Sequence, residues 1–434
     1  QNDSVSIRDV RNWTHLELFS TDAFFHLLRD LKEGRIVPDS LSIAHQQKFI
    51  DSFFLPKLQE LKAGQSLTEI LDSVEPKFFK YVELRKALPE FVDKMDPEQY
   101  PQIVYPFTDS LEFVKEVYAR LSAGQSSDSA NYLPDSATFR RTVRKFQAEK
   151  KLEVDGKPGA ATIKELNFTD AQKFRSIAIS LDRYKLLPKM PETFIWVNIP
   201  SFYLQVINND TITLESKIIV GKPATPTPVL TSAINNLVVY PNWTIPVSII
   251  KKEILPALKK DPEYLTKKGY NLYDEKGEII NPYGINWARY STGIPWKVVQ
   301  GSGDDNALGV FKFNFNNPYS VYLHDTNQRY LFANSNRALS HGCVRVQKWQ
   351  QLADIIAERD SSMAYPSRLS YTNDSLVNWV ANGVRKSVTV RNRFPLFIVY
   401  YTCESKDGEE IKFYSDLYNE DADIYEEYFM KKSL

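Results

Sequence analysis

Cys343 is the residue whose sequence neighbours are best suited to covalent chemistry. It stands in the run LSHGCVRV, with His341 two places before it and Arg345 two places after it. A second histidine, His324, lies 19 residues upstream at the end of the strand-like run PYSVYLHDT. A thiol attacks a carbonyl as its thiolate, and a neighbouring histidine commonly takes the proton. The pattern therefore indicates a cysteine nucleophile with two candidate bases.

The residues beside Cys343 suit such a site but do not require it. Gly342 permits a tight turn whose backbone N–H groups can point at a developing oxyanion. Arg345 can bind a carboxylate or hold the turn. A single cysteine is more often a buried, unreactive thiol, and the residues alone leave that alternative open. Cys403, the other cysteine of the chain, is interpreted as structural.

Composition excludes several other classes of function. The 434 residues include 54 basic and 54 acidic side chains without a long basic run, which argues against a nucleic-acid partner. No apolar run reaches about 18 residues, so no membrane-spanning helix is expected. Two cysteines cannot build a disulfide framework, and the five histidines lack metal-ligand spacing. We therefore expect no metal and no cofactor.

Residues 1–125 are predicted to form a helical scaffold domain. A helix with one apolar stripe is indicated by Leu16, Phe19, Ala23, Leu27 and Leu31, and Gly34 follows as a stop. Ser66 and Glu69 fit a capping box that opens another helix. Further helices are expected over 41–62, 77–94 and 109–122.

Residues 126–170 have the pattern of a small helical module. Phe139, Val143 and Phe146 share one face of a basic helix, and Asp155-Gly156 signals a turn before a second short helix. The order of these elements resembles the peptidoglycan-binding domain type 1 family. That resemblance implies a three-helix module associated with cell-wall glycopeptide, acting either in binding or as a packing scaffold.

After about residue 175 the sequence becomes rich in β-branched and aromatic residues, so 171–434 are predicted to form a mostly-β domain. The turn Asn208-Asn209-Asp210 divides a β-hairpin over 193–221. Strand-like runs recur at 236–240, 297–300, 309–315, 319–323 and 395–402. Residues 247–295 are too long for an ordinary loop and are predicted to be an inserted helical and loop subdomain that caps a site.

Seven motifs in this region resemble the catalytic domain of YkuD-type L,D-transpeptidases, in its long YcbB-like subgroup. They are VNIPSFYLQV, VGKPATPTP, YPNWTIP, EILP, DNALGVFKFNF, YLHDT and SHGCVRV, in that order. With the preceding module, the resemblance covers about 135–405. The predicted fold class is thus multidomain α+β: a helical scaffold, a peptidoglycan-binding-like module and a mostly-β YkuD-type domain with a capping insertion.

The resemblance implies a role for each matching residue. Cys343 would be the nucleophile and His324 its base, oriented by the backbone carbonyl of Asp325 or by the Asp325 side chain. Gly342 and Cys343 would supply oxyanion-hole N–H groups. The residues expected to line the site or bind substrate are His341, Arg345, Ser340, Arg337, Tyr322 and Trp243. Three alternatives stay open: Ser340 also suits a structural role in the turn, Arg337 an ordinary place in a loop, and Tyr322 and Trp243 a role in packing.

The implied activity is the formation of 3→3 cross-links between peptidoglycan stem peptides through a Cys343 thioester, with D-alanine released from a tetrapeptide donor. The expected partners are donor and acceptor stem peptides and covalent carbapenem inhibitors, with the protein a monomer in the periplasm or cell envelope. Three acceptors would change the outcome: water, a free D-amino acid or a protein lysine. A non-catalytic cell-wall-binding protein is the alternative from another class. A papain-like protease is disfavoured because no histidine follows Cys343.

Overall fold

The computed structural model describes residues 7–36, 51–96, 98, 100–122, 133–150, 152–363 and 370–430. Their contacts group the chain into two units. The first comprises Gln1–Val74, Leu186–Tyr401 and Tyr414–Glu420, and the second comprises Glu75–Lys185, Thr402–Phe413 and Asp421–Leu434. None of the helices in these described ranges is long and apolar enough to cross a membrane.

The helices and strands follow one another in a helical first part and a β-rich second part. The α-helices are α1 (Ile7–Lys32), α2 (Asp51–Lys62), α3 (Leu67–Val74), α4 (Phe79–Lys94), α5 (Ser110–Leu121), α6 (Ser136–Glu149), α7 (Ala160–Asn167), α8 (Asp170–Lys185), α9 (Val247–Ile249), α10 (Leu255–Lys260), α11 (Tyr264–Lys267), α12 (Trp349–Met363), α13 (Asn373–Ala381) and α14 (Glu420–Ile424). The strands are β1 (Thr193–Asn198), β2 (Tyr203–Asn208), β3 (Thr211–Gly221), β4 (Leu230–Val239), β5 (Trp243–Thr244), β6 (Tyr270–Tyr273), β7 (Ile279–Ile280), β8 (Lys297–Gln300), β9 (Phe311–Phe315), β10 (Leu323–His324), β11 (Ala338–Ser340), β12 (Val344–Val346), β13 (Lys386–Val399), β14 (Cys403–Ser405) and β15 (Ile411–Phe413).

Helices α1, α2 and α3 share a small apolar core. The buried side chains of this core are Phe24, Leu28, Phe54, Ile70 and Val74. The predicted stripe on α1 was wrong about the buried face, since Leu16 and Phe19 are 56% and 71% exposed. The buried positions lie on a neighbouring face of the same helix, a rotation that the apolar spacing alone does not fix. The Ser66 hydroxyl accepts a hydrogen bond from the Glu69 N–H at 3.3 Å, and residues 41–50 of a predicted helix lie outside the described residues.

Helices α5, α6 and α7 pack around a separate core in the second unit. Its buried side chains are Ile103, Phe113, Val117, Val143, Ile163 and Leu166. Helix α5 lies before the predicted domain boundary at residue 125, yet it packs with the two helices of the predicted peptidoglycan-binding-like module. The domain ranges given by the sequence remain a prediction.

Gln147 ties α6 to the turn and helix that follow it. Its side-chain amide donates to the Asp155 carboxylate at 2.9 Å, the Lys157 carbonyl at 3.0 Å and the Thr162 hydroxyl at 3.1 Å. Its Oε1 accepts from the Gly156 N–H at 2.8 Å. Because the Gln147 side chain is 1% exposed and Gly156 is buried, these bonds satisfy the Gln147 amide and the Gly156 N–H, which water does not reach.

The β-rich part is a nine-stranded sheet that closes on itself. The strand order is β11-β3-β12-β10-β9-β4-β13-β1-β2, and β2 also pairs with β3. The β2–β3 turn has positive φ angles at Asn209 and Asp210, which matches the predicted hairpin. Alternating residues of the strands fill the interior, including the fully buried Leu237, Phe313, Leu323 and Val344.

The insertion between β4 and β9 forms a subdomain with its own core. Helices α9 and α10 flank a π-helical turn, Ile250–Ile254, and pack beside a four-stranded sheet in the order β5-β8-β6-β7. Strand β8 confirms the strand-like run predicted at 297–300, whereas β5, β6 and β7 were not predicted, because each has only two to four residues. The helical amino-terminal region and the β-rich domain confirm the multidomain α+β class.

Replacing Gln147 by alanine should open the α6–α7 module locally. The substitution leaves the buried Gly156 N–H without its acceptor, which costs about 1–3 kcal/mol. We expect faster amide hydrogen exchange at residues 152–166, measured by mass spectrometry. Lys145→Ala, whose side chain is 72% exposed on the same helix, should exchange like the wild type. Equal exchange rates in the two variants would contradict this role for Gln147.

Candidate active site

Strand register places Cys343, His324 and their neighbours on one face of the barrel sheet. Strand β10 pairs in parallel with β12, so that Leu323 lies opposite Val344 and His324 opposite Arg345. Leu323 and Val344 point into the core, and side chains alternate along a strand. His324 and Arg345 therefore face the other way, as do Tyr322 and Cys343 one step earlier on each chain segment.

The Cys343 turn is held by hydrogen bonds from its own residues and from the loop after β3. Gly342 has φ +115°, a conformation that favours glycine. The Ser340 hydroxyl donates to the Cys343 carbonyl at 2.6 Å and accepts from the Gly342 N–H at 3.1 Å. The buried Thr227 hydroxyl donates to the Gly342 carbonyl at 2.8 Å. These bonds fix the backbone that carries the thiol.

The oxyanion role predicted for Gly342 needs correction in part. Its N–H is occupied by Ser340, whereas in the described part of the chain the Cys343 N–H makes no hydrogen bond. Ser340 itself is 3% exposed and serves the turn rather than substrate contact. The Cys343 N–H is the donor of this pair that is free to meet an oxyanion.

Among the residues that lower the pKa of the thiol, Tyr322 has the largest effect. Burial raises the pKa of Cys343, while hydrogen bonds from the backbone and side chain of Tyr322 lower it. The positive charges of Lys312 and Arg345 also lower the pKa of Cys343. The balance is a raised pKa, so the resting group is a thiol whose surroundings are arranged to stabilise the thiolate once it forms.

His324 is a buried and neutral imidazole. Burial, followed by the charges of Arg345 and Lys312, lowers the pKa of His324 to about 3, against hydrogen bonding to the backbone of Asp325 and Leu308, which raises it. Within the described residues its Nδ1 has no hydrogen-bond partner. The ring centroids of His324 and Tyr322 are 5.6 Å apart. The ring thus has an uncommitted nitrogen and lies beside the residue that contacts the thiol.

The Asp325 side chain is directed away from this chemistry. Its carboxylate accepts hydrogen bonds from Arg329 at 2.6 and 3.1 Å and from the Val310 N–H at 3.1 Å. Gly309 makes room for it, since a Cβ there would lie 2.3 Å from Asp325 Oδ2. Of the two predicted ways in which Asp325 could orient His324, the structure therefore favours the backbone over the carboxylate.

The two arginines predicted at the site differ in role. Arg345 donates to the Gln328 amide oxygen at 3.1 Å, and its charge acts on both Cys343 and His324. Arg337 donates to the backbone carbonyls of Ile218, Asn334 and Phe202 at 2.9–3.0 Å and is 6% exposed. The expectation that Arg337 lines the site was wrong, because its buried guanidinium binds backbone carbonyls of β3 and of the segments before β2 and β11.

The inserted subdomain reaches the site at two points. His341 Nε2 lies 2.5 Å from Glu253 Oε1 in the π-helical turn. Trp243, on β5, lies near the Tyr322 hydroxyl and acts to lower the pKa of Tyr322, which itself acts on the pKa of the thiol. His341 is thus paired with Glu253 of the subdomain. His324, which lies beside Tyr322, is the remaining candidate for the base.

Sequence reasoning missed three residues of this site: Lys312, Thr227 and Glu253. Lys312 lies opposite His324 in the β9–β10 register, and its ammonium is 3.8 Å from the centroid of the Tyr322 ring. Alternation in FKFNF could have indicated that Lys312 faces away from the core, since Phe311, Phe313 and Phe315 are buried. The contacts of Thr227 and Glu253 depend on distant chain segments and leave no local signal.

Comparison with known proteins agrees with this arrangement. A barrel sheet that presents a thiol, an imidazole and two cations is suited to acyl transfer through a covalent thioester. Residues 192–366 match the model of the YkuD L,D-transpeptidase catalytic domain, and residues 1–88 match a model described as a scaffold domain. Residues 192–366 thus form a catalytic domain of the YkuD family of L,D-transpeptidases.

A curated protein of Haemophilus influenzae, named provisionally as an L,D-transpeptidase, is 35% identical over 263 residues. The match covers 61% of this chain and 50% of that protein, so the chain spans half the length of its relative. Among solved structures, an L,D-transpeptidase from Stackebrandtia nassauensis is 13% identical, with 69% and 97% of the two chains covered and a TM-score of 0.19. The catalytic domain of an Enterococcus faecium L,D-transpeptidase acylated by ertapenem is 12% identical, with 49% and 100% covered and a TM-score of 0.19.

Tyr322→Phe should slow alkylation of Cys343 by iodoacetamide at neutral pH. The change removes the hydroxyl that stabilises the thiolate, and a hydrogen bond to a charged group is worth about 1.5–3 kcal/mol, or about 10- to 100-fold in thiolate population. The rate is measured by mass spectrometry of the Cys343 peptide. Tyr319→Phe, at an exposed tyrosine, should leave it unchanged. Equal rates for the two variants would contradict a Tyr322–thiol hydrogen bond.

The pH dependence of the same reaction should be that of a neutral thiol–imidazole pair. Because the pKa of Cys343 is raised, alkylation should increase with pH through a midpoint above about 8.5, the value of an unperturbed cysteine. Because the pKa of His324 is lowered to about 3, no inflection should occur between pH 5 and 7. The buried Cys403 should remain unmodified. A midpoint below about 8 would instead indicate a thiolate–imidazolium pair at rest.

Proposed function

We propose that the protein is an L,D-transpeptidase that forms 3→3 cross-links between peptidoglycan stem peptides. The observation that carries the proposal is the placement of the Cys343 thiol on one sheet face with Tyr322, His324 and Arg345, all supplied by β10 and β12 and their flanking residues. A match to the YkuD catalytic domain over 192–366 supports the same substrate class.

The first half-reaction acylates the thiol. Cys343 Sγ attacks the carbonyl between the L-centre of the diamino acid at position three and D-alanine at position four. His324 takes the thiol proton, the Cys343 N–H meets the oxyanion, and Lys312 and Arg345 favour the negative charge on sulfur. The tetrahedral intermediate then collapses. The C–N bond breaks, His324 returns the proton to the leaving amine, and D-alanine departs from a thioester.

The second half-reaction transfers the acyl group to an amine. The side-chain amine of an acceptor stem attacks the thioester carbonyl, and His324 accepts the proton that the amine loses. The C–S bond breaks, an amide forms between two position-three residues, and the proton of His324 restores the thiol. The inserted subdomain contacts the site at His341 and Tyr322, where it would limit the water that competes with the amine.

Other acceptors would use the same nucleophile. Water would make an L,D-carboxypeptidase, a free D-amino acid an exchange enzyme, and a protein lysine a lipoprotein-anchoring enzyme. We propose the stem peptide because the capping subdomain suits exclusion of water. The substrate places the protein in the periplasm or cell envelope. The α6–α7 module would hold it near glycopeptide, and the protein would act as a monomer.

Turnover of a disaccharide-tetrapeptide by the wild type and by Cys343→Ala tests this function. We expect a thioester adduct, with the mass of the donor less D-alanine, on the wild type and conversion of tetrapeptide to 3→3 dimer. Cys343→Ala should give neither. A carbapenem should acylate Cys343 in the wild type, because its strained β-lactam carbonyl is a strong electrophile for a thiol.

The products distinguish the alternatives. If saturating acceptor gives tripeptide but no dimer, the protein is a carboxypeptidase and not a transpeptidase. No adduct from either tetrapeptide or carbapenem would exclude catalysis and favour a non-catalytic cell-wall-binding protein. Protection of the buried Cys403 from iodoacetamide in the wild type and in Cys343→Ala is the control for folding.

A further inference from the structure

A basic pocket adjoins the candidate active site on the barrel. Its volume is about 480 Å³, and its lining residues are Val238, Pro241, Asn242, Lys312, Arg385, Lys386 and Ser387. Three of these side chains are cationic and none is acidic. The pocket belongs to the first unit and draws its walls from β4, β9, β13 and the segments beside them.

Strand register makes this pocket a continuation of the catalytic face. His324 lies opposite Lys312, Lys312 opposite Val238, and Val238 opposite Ser387. These residues form one row across β10, β9, β4 and β13, and Arg345 on β12 extends the row on the other side of His324. Because adjacent strands are about 4.8 Å apart, Lys312 stands one strand from His324 and the pocket begins there.

In the described part of the chain, no acidic side chain forms a salt bridge with Lys312, Arg385 or Lys386. Burial lowers the pKa of Lys312, and the Cys343 thiolate is the one charged group that opposes this effect. Lys312 therefore sits half-buried with its charge directed toward the site and the pocket, an arrangement suited to an anionic ligand.

Arg345, the residue that the sequence indicated for carboxylate binding, is placed less well for this role. Its guanidinium donates to Gln328 at 3.1 Å and to Thr326 at 3.5 Å. Lys312 has the Tyr322 ring as its neighbour at 3.8 Å, and that tyrosine contacts the thiol. An anion beside Lys312 would thus lie close to the acyl group that the thiol attacks.

We propose that Lys312, at the mouth of the basic pocket, binds the free terminal carboxylate of the donor stem peptide. This inference rests on the proposed function and names the feature of the donor that is recognised. Strand β9 lies two strand spacings, about 10 Å, from the segment that carries the thiol, and the Lys312 side chain covers part of that distance because its ammonium is 3.8 Å from the Tyr322 ring. A terminal residue spans about 3.5 Å, so its carboxylate can approach this ammonium when its amide carbonyl is at the thiol. Arg385 and Lys386 extend the positive field behind Lys312. Lys312 is then a specificity-determining residue that selects a donor ending directly after the scissile bond.

The test compares two donors that differ only in the terminal group: a disaccharide-tetrapeptide ending in D-alanine and its C-terminal amide. The wild type should favour the acid in kcat/KM. Lys312→Gln should reduce kcat/KM for the acid by about 10- to 100-fold, the effect of one charge-assisted hydrogen bond, with much less change for the amide. Arg385→Gln should give a smaller loss in the same direction. Lys276→Gln, at an exposed lysine of the inserted subdomain, should leave the preference unchanged.

Lys312 also acts on the thiol, so its loss can slow the reaction of both donors. The ratio of kcat/KM for the acid to kcat/KM for the amide therefore decides the question. An equal loss for acid and amide in Lys312→Gln would overturn the proposal and assign the lysine to thiolate stabilisation alone. An unchanged acid preference would overturn it as well.

A binding measurement separates this proposal from the proposed function. Calorimetry with Cys343→Ala should show tighter binding of the acid than of the amide, and the difference should disappear in Cys343→Ala/Lys312→Gln. This result would support carboxylate recognition even if the wild type turned over neither donor, in which case only the proposed reaction would fail. Equal binding of acid and amide to Cys343→Ala would overturn the carboxylate site.

Discussion

The parallel pairing of β10 with β12 is the constraint on which the site depends. Leu323 and Val344 are fully buried in the barrel core, and their packing fixes which residues face outward. A shift of one residue in either strand would turn His324 or Cys343 toward the core, because side chains alternate along a strand. Both strands are short, so their pairing alone holds the thiol weakly. The position of the thiol therefore depends on this core packing and on the hydrogen-bonded turn at Gly342.

Electrostatics at this face keep both reactive groups neutral at rest. Burial raises the pKa of Cys343 and lowers that of His324, so neither group is charged at neutral pH. Lys312 and Arg345 disfavour an imidazolium and favour a thiolate, and Tyr322 also lowers the pKa of Cys343. This environment stabilises the negative charge that develops on sulfur during the attack, while the resting enzyme stays neutral. Stabilisation of the transition state relative to the resting state is what accelerates a reaction.

The inserted subdomain is part of the site and not only a cover over it. Its core of Ile254, Leu255, Leu258 and Trp287 is separate from that of the barrel, so it has its own structural support. Trp243 and Glu253 connect this subdomain to Tyr322 and His341. Both contacts are polar and few, in contrast to the apolar interior on either side.

The sequence by itself determined the reactive residue types and the local elements. The SHGC turn and its upstream histidine, the Asn209-Asp210 hairpin and most helices are local patterns of spacing and turn chemistry. The tertiary structure decided which face of α1 is buried, that Arg337 bonds to backbone carbonyls, and that Lys312 stands beside His324. These outcomes depend on pairings between segments far apart in the chain. Such pairings are fixed by the packing of the whole barrel, because a strand's own residues define its two faces but not its neighbour or its register.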